Sequence, residues 1–145
     1  MTLDHSNKEP EYPSKDPENP KRDFVFNRYH VWASVDKEKQ TARVGITDYL
    51  AEELTDIASI DIPMEGDELG MDSLVIHLHV RNRIRHLRCP LTGRVVEVNR
   101  DVLDDPSQIY LDWKKAWLFK MEYDDPNELN LLMDGNQYAK HLDDL

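Results

Sequence analysis

Residues 77–88 read HLHVRNRIRHLR and gather the side chains best suited to chemistry. Arg81, Arg83, Arg85 and Arg88 stand among His77, His79 and His86, with no acid between them. Guanidinium forks match pairs of carboxylate or phosphate oxygens, so the cluster suits an acidic partner surface or a phosphorylated ligand. The plainer alternative is a solvated loop whose arginines pair with the chain's own acids. Histidines at i and i+2 on a strand, with a third across a turn, can also ligate zinc or copper. No carboxylate lies close by in sequence, and Cys89 reads as a small buried apolar residue. No metal site is therefore assigned. His77, His79 and His86 are read as surface imidazoles.

No catalytic residue is assigned either. The chain has no phosphate-cradling glycine loop, no HExxH, and no Ser or Cys nucleophile in a recognisable setting. The acid pairs Asp104/Asp105, Asp124/Asp125 and Asp143/Asp144 fall at expected helix ends, where they serve as caps and solubilising charge.

The elements that must position the cluster follow from periodicity. SLVIHLHV alternates, with Leu74, Ile76, Leu78 and Val80 on one face, and IRHLRCP returns after a turn at Asn82. In the hairpin this predicts, Leu78 opposes Leu87, Ile76 opposes Cys89, His79 opposes His86 and His77 opposes Arg88. FVFNRYHVWASVD, ARVGIT, DIASIDIP and KAWLFKMEY carry strand texture, and PLTG is a tight turn. Thr47 reads as the N-cap of a short helix in TDYLAEEL, and DVLDDPSQIY holds a helical turn. DDPNELNLLMDGNQYAKHL reads as a terminal helix, with Pro126 in its first turn and Leu129, Leu132 and Met133 as its apolar stripe. Trp32, Trp113 and Trp117 are placed in the core and at its rim. Residues 1–23 hold Pro10, Pro13, Pro17 and Pro20 among charged residues, which predicts a disordered or peripheral tail before a domain over 24–145. The fold class is α+β, mainly β.

Composition narrows the function. The 145 residues carry 18 Lys+Arg against 29 Asp+Glu, a net charge of −11, so nucleic acid and anionic membrane surfaces are repelled. Apolar runs fall short of the ~20 residues a membrane span needs. A single cysteine suits a reducing compartment, and the expected location is the cytoplasm.

Several stretches together resemble the H protein of the glycine cleavage system, a lipoyl-carrying shuttle. They are HVW at 30–32, VGITDYLAEELTDI at 44–57, IDIPMEGDEL at 60–69, CPLTGRVVEVN at 89–99, AWLFKM at 116–121 and the C-terminal DDPNELNLLMDGNQYAKHL. The resemblance spans roughly residues 24–143 and implies a lipoyl-domain-like antiparallel β-sandwich, a barrel-sandwich hybrid, with a short helix and a C-terminal helix outside. It also implies that a hairpin tip presents the lipoyl lysine. Counting without gaps from GDE at 66–68 and back from CPLTG puts the family's Glu-Ser-Val-Lys-Ala on His79, Val80, Arg81, Asn82 and Arg83.

The attachment position is therefore Asn82. A carboxamide nitrogen cannot act as the amine nucleophile that lipoylation needs. No lysine lies between Lys39 and Lys114, and arginine stays protonated. The expected function is a non-lipoylated homologue that works as a protein-binding or regulatory module, not an enzyme, and holds no cofactor. Its partners would be glycine cleavage components or other acidic proteins, met by Arg81, Arg83, Arg85 and Arg88. The alternatives are a functional carrier in glycine cleavage or lipoate metabolism, and a metal- or anion-binding module built on the His/Arg hairpin.

Overall fold

The computed structural model describes residues 11–145. Ten strands follow from the alternating segments: β1 (Lys15–Asp16), β2 (Asn19–Phe26), β3 (Val31–Asp36), β4 (Thr41–Ile46), β5 (Ser59–Asp61), β6 (Glu68–Leu69), β7 (Leu74–Val80), β8 (Arg83–Arg88), β9 (Gly93–Val98) and β10 (Phe119–Tyr123). Seven form one sheet in the order β1-β2-β3-β4-β10-β9-β6, and β5-β7-β8 form a second. Every pairing is antiparallel. Phe24, Trp32, Val44, Phe119 and Met121 from the large sheet join Ile76, Leu78 and Leu87 from the small one in a single buried cluster. This is the mainly β, lipoyl-domain-like sandwich that the sequence leads one to expect.

Helix α1 (Asp48–Leu54) starts where Thr47 caps it, the hydroxyl accepting from the Leu50 N–H, and buries Leu50, Ala51 and Leu54. Two short helices, α2 (Arg100–Asp104) and α3 (Gln108–Leu111), fill DVLDDPSQIY. Trp32 and Trp113 are buried, while Trp117 is half-buried under the Arg43 guanidinium.

Three expectations need revision. First, the terminal stretch is not one helix. Pro126–Leu131 forms a 3-10 turn capped by Asp125, then Met133 runs extended and exchanges two backbone hydrogen bonds with Phe26, both 2.8 Å. Helix α4 (Gly135–Asp143) begins afresh with a capping box between Asp134 and Gln137, so the Asp-Gly step is a new helix start.

Second, the N-terminal segment is part of the fold as far as it is described; residues 1–10 of the expected tail lie outside the described residues. Tyr12 is buried edge-on against Phe26 and Tyr138, and its hydroxyl donates to Asp48 at 2.9 Å. Burial raises the Tyr12 phenol well above its ordinary range. Asp16 is also buried, accepting from the Ser34 hydroxyl at 2.5 Å. Gly135 admits this segment: a Cβ there would lie 1.8 Å from the Tyr12 carbonyl oxygen. Proline content misleads here because Pro17 falls in the turn between β1 and β2, and Pro20 lies near the start of β2, ahead of the pairing with β3 that begins at Asp23.

Third, the β7–β8 register differs. Val80 pairs with Arg83, His79 with Ile84, Leu78 with Arg85, His77 with His86 and Ile76 with Leu87. The turn is Arg81–Asn82 alone, and a bulge between Leu74 and Ile76 shifts the pairing by one further residue at the far end, where Leu74 meets Arg88. Registers two residues apart keep the same face inward, so alternation cannot separate them.

Candidate functional site

The hairpin tip is set by local geometry. The chain reverses through two residues, with Arg81 at a φ of 46°, a left-handed conformation that L-residues adopt at a cost. Arg81, Asn82 and Arg83 are all exposed. Beside them opens a cleft of about 520 Å³ between the tip and the end of α1, lined by Glu53, Leu54, Thr55, Val80, Arg81, Asn82 and Arg83.

The four arginines do not gather at one point. Arg85 lies opposite Leu78 on the inward face and meets Glu53 of α1 at 3.5 Å. Arg88 donates to the Asp72 carbonyl at 2.8 Å and lies 5.2 Å over the Tyr29 ring. Only Arg81 and Arg83 sit at the tip, and among the described residues neither has a carboxylate within 4.0 Å. These two can take an external anion without breaking an internal pair.

The histidines also separate. His77 and His86 face each other across the strands with their Nδ1 atoms 2.7 Å apart, one donating and the other accepting. His79 Nε2 instead contacts Asp61 Oδ2 at 2.6 Å. Asp61 and Glu53 are the site residues that local sequence does not reveal, because β5 and α1 bring them from 18 and 32 positions away. The signal available for Asp61 is the alternation Ser59-Ile60-Asp61, which turns its side chain outward beside β7. Among the described residues, no group of three or more His, Cys, Asp or Glu is arranged to hold a metal ion. Cys89 is buried, and burial pushes its thiol up to about 11, so it is packing material.

Behind α1 lies a buried polar chain. His30 Nδ1 and the Tyr138 hydroxyl are 2.7 Å apart, and the Thr47 hydroxyl is 2.9 Å from the same phenol oxygen. Burial holds His30 down to about 4, helped by the nearby His141 and Arg85 charges and opposed by Glu53. The same Thr47 that caps α1 is thus tied to α4, which fixes the helix that walls the cleft.

A search among known families matches residues 24–145 to the Glycine cleavage H-protein family. The probable glycine cleavage system H protein of Pyrococcus abyssi is 35% identical, over 86% of this chain and 93% of its own. The H protein 4 of Aquifex aeolicus is 33% identical, over 86% of this chain and 72% of its own. A crystal structure of a glycine cleavage system H protein from Mycobacterium marinum superposes with a TM-score of 0.75 at 24% identity, covering 84% of this chain and 97% of that one, which shows the shared fold. Among the described residues no helix is long and apolar enough to cross a membrane. This is a family of lipoyl carriers that meet the other glycine cleavage components, not of catalysts. On its length, its fold and its identity to these relatives, the chain belongs to the glycine cleavage H-protein family.

Proposed function

We propose that this chain is a member of the family that carries no lipoate and serves as a cytoplasmic protein-binding or regulatory module. The observation that carries the reading is Asn82. It stands where the family resemblance puts the attachment lysine, on an exposed two-residue turn. A carboxamide nitrogen is delocalised into its carbonyl and makes no amide with an activated acyl group. No lysine of the surrounding sequence replaces it, since none lies between Lys39 and Lys114. Without a thiol-bearing arm the aminomethyl transfer is closed to the chain, while the surfaces that meet other proteins persist. The contact residues are Arg81 and Arg83, whose guanidinium groups meet no acid among the described residues. Glycine cleavage components or other acidic proteins are the partners this surface fits.

The competing reading is a working carrier, and the whole-domain similarity to H proteins speaks for it. Reconstitution separates the two. The chain supplied as sole H component with glycine decarboxylase, aminomethyltransferase, dihydrolipoyl dehydrogenase and lipoate ligase should support no glycine decarboxylation above background. Turnover in that mixture would establish the carrier.

A further inference from the structure

The small sheet ends in β8, and among the described residues no strand lies against its far side. On β7 the His79 carbonyl accepts from the Ala58 N–H at 2.9 Å, so the backbone groups of His79 and His77 point toward β5. In an antiparallel ladder the residues facing these across β8 then point their own N–H and C=O the other way. Those residues are Ile84 and His86. Both are exposed, and among the described residues their backbone groups have no hydrogen-bond partner. Further along, the edge is closed where the Arg88 carbonyl accepts from Asn27 Nδ2 at 3.0 Å. An open edge of roughly 17 Å, at ~3.4 Å per residue, is left along residues 83–87.

Such an edge invites another strand, and its side chains say which kind. Arg83 and Arg85 fall on one face, and Ile84 and His86 on the other. Among the described residues Arg83 has no acid within 4.0 Å, and neither has Arg81 at the adjoining turn. A second copy of β8 would set arginine against arginine, which disfavours self-pairing. We propose that β8 accepts an extended partner segment in which acidic residues alternate with apolar ones. The acids would meet Arg83, with Arg81 beside it at the turn, the apolar residues would cover Ile84, and backbone bonds would form at Ile84 and His86. This deepens the docking reading and rests on it. Lipoyl attachment tests that reading alone, whereas the following experiment tests the edge.

A fluorescein-labelled peptide of alternating glutamate and valine is titrated with the full chain at low salt, and amide exchange is followed by NMR at saturation. The expected result is saturable binding, with exchange at Ile84 and His86 slowed at least about tenfold. A lysine–valine peptide should not bind, and Arg83→Glu should weaken the glutamate peptide by about tenfold. Ile84→Pro removes an N–H that β7 does not use, so it should abolish binding with the hairpin intact; if that variant unfolds, Arg83→Glu decides. Absence of binding up to roughly millimolar peptide, equal binding of both peptides, or binding that leaves the two amides unprotected would overturn the proposal.

Discussion

Lipoyl attachment needs a primary amine that can lose its proton, and the turn offers Arg81, Asn82 and Arg83 instead. Restoring a lysine by Asn82→Lys supplies the amine but leaves His79 held by Asp61 and two guanidinium groups flanking the site. The variant should therefore be lipoylated slowly, reaching a minor fraction of an H protein processed alongside it; complete modification would show that the flanks do not matter. At the same scale, His30 makes stability depend on pH. Its folded value of about 4 lies below the ordinary ~6.5, so the unfolded chain binds the extra proton between those values. Stability is then fully present above pH ~6.5 and falls as the pH drops toward 4, by on the order of 2 kcal/mol. Urea midpoints across that window should decline for the wild type and stay flatter for His30→Asn, a residue that tolerates the positive φ of 73° found there. Parallel declines would remove His30 as the cause.

At the scale of elements, the packing of the N-terminal segment on α4 has a measurable sign. Alanine normally stabilises a helix relative to glycine by about 1 kcal/mol. At Gly135 the added Cβ would collide with the Tyr12 carbonyl, so Gly135→Ala should destabilise by about 1–3 kcal/mol in denaturant titrations. A stabilised variant would mean that residues 12–13 do not hold this position. Strand positions, the Thr47 cap and the Pro126 turn were legible because each rests on neighbours within a few residues. The β7–β8 register was not, because alternation has period two and the bulge at Leu74–Ile76 leaves no local mark. The order of Tyr12 was hidden for a different reason: its partners Phe26, Asp48 and Tyr138 lie far along the chain. The cluster at 77–88 was visible in sequence as a group, yet the structure divides it: Glu53 takes Arg85, Asp61 takes His79, and Tyr29 and Asp72 together take Arg88.

On the scale of the whole molecule, a chain of net charge −11 displays at one exposed turn two arginines that are unpaired among the described residues. Contacts of this kind contribute about 0–1 kcal/mol each, and salt screens them once the Debye length falls below about 10 Å. Pull-downs from native lysate should lose acidic partners as salt rises, and the double variant Arg81→Ser with Arg83→Ser should lose them at low salt too. Arg88→Ser should retain them, because that guanidinium is occupied by Tyr29 and Asp72. Identical partner lists for all three proteins would reduce the tip to a solvated loop. The central claim, a carrier fold without its arm, is tested most directly by intact mass after co-expression with lipoate ligase, a lipoylated H protein serving as the control. The unmodified mass of the chain is the predicted result; a lipoyl adduct would contradict it.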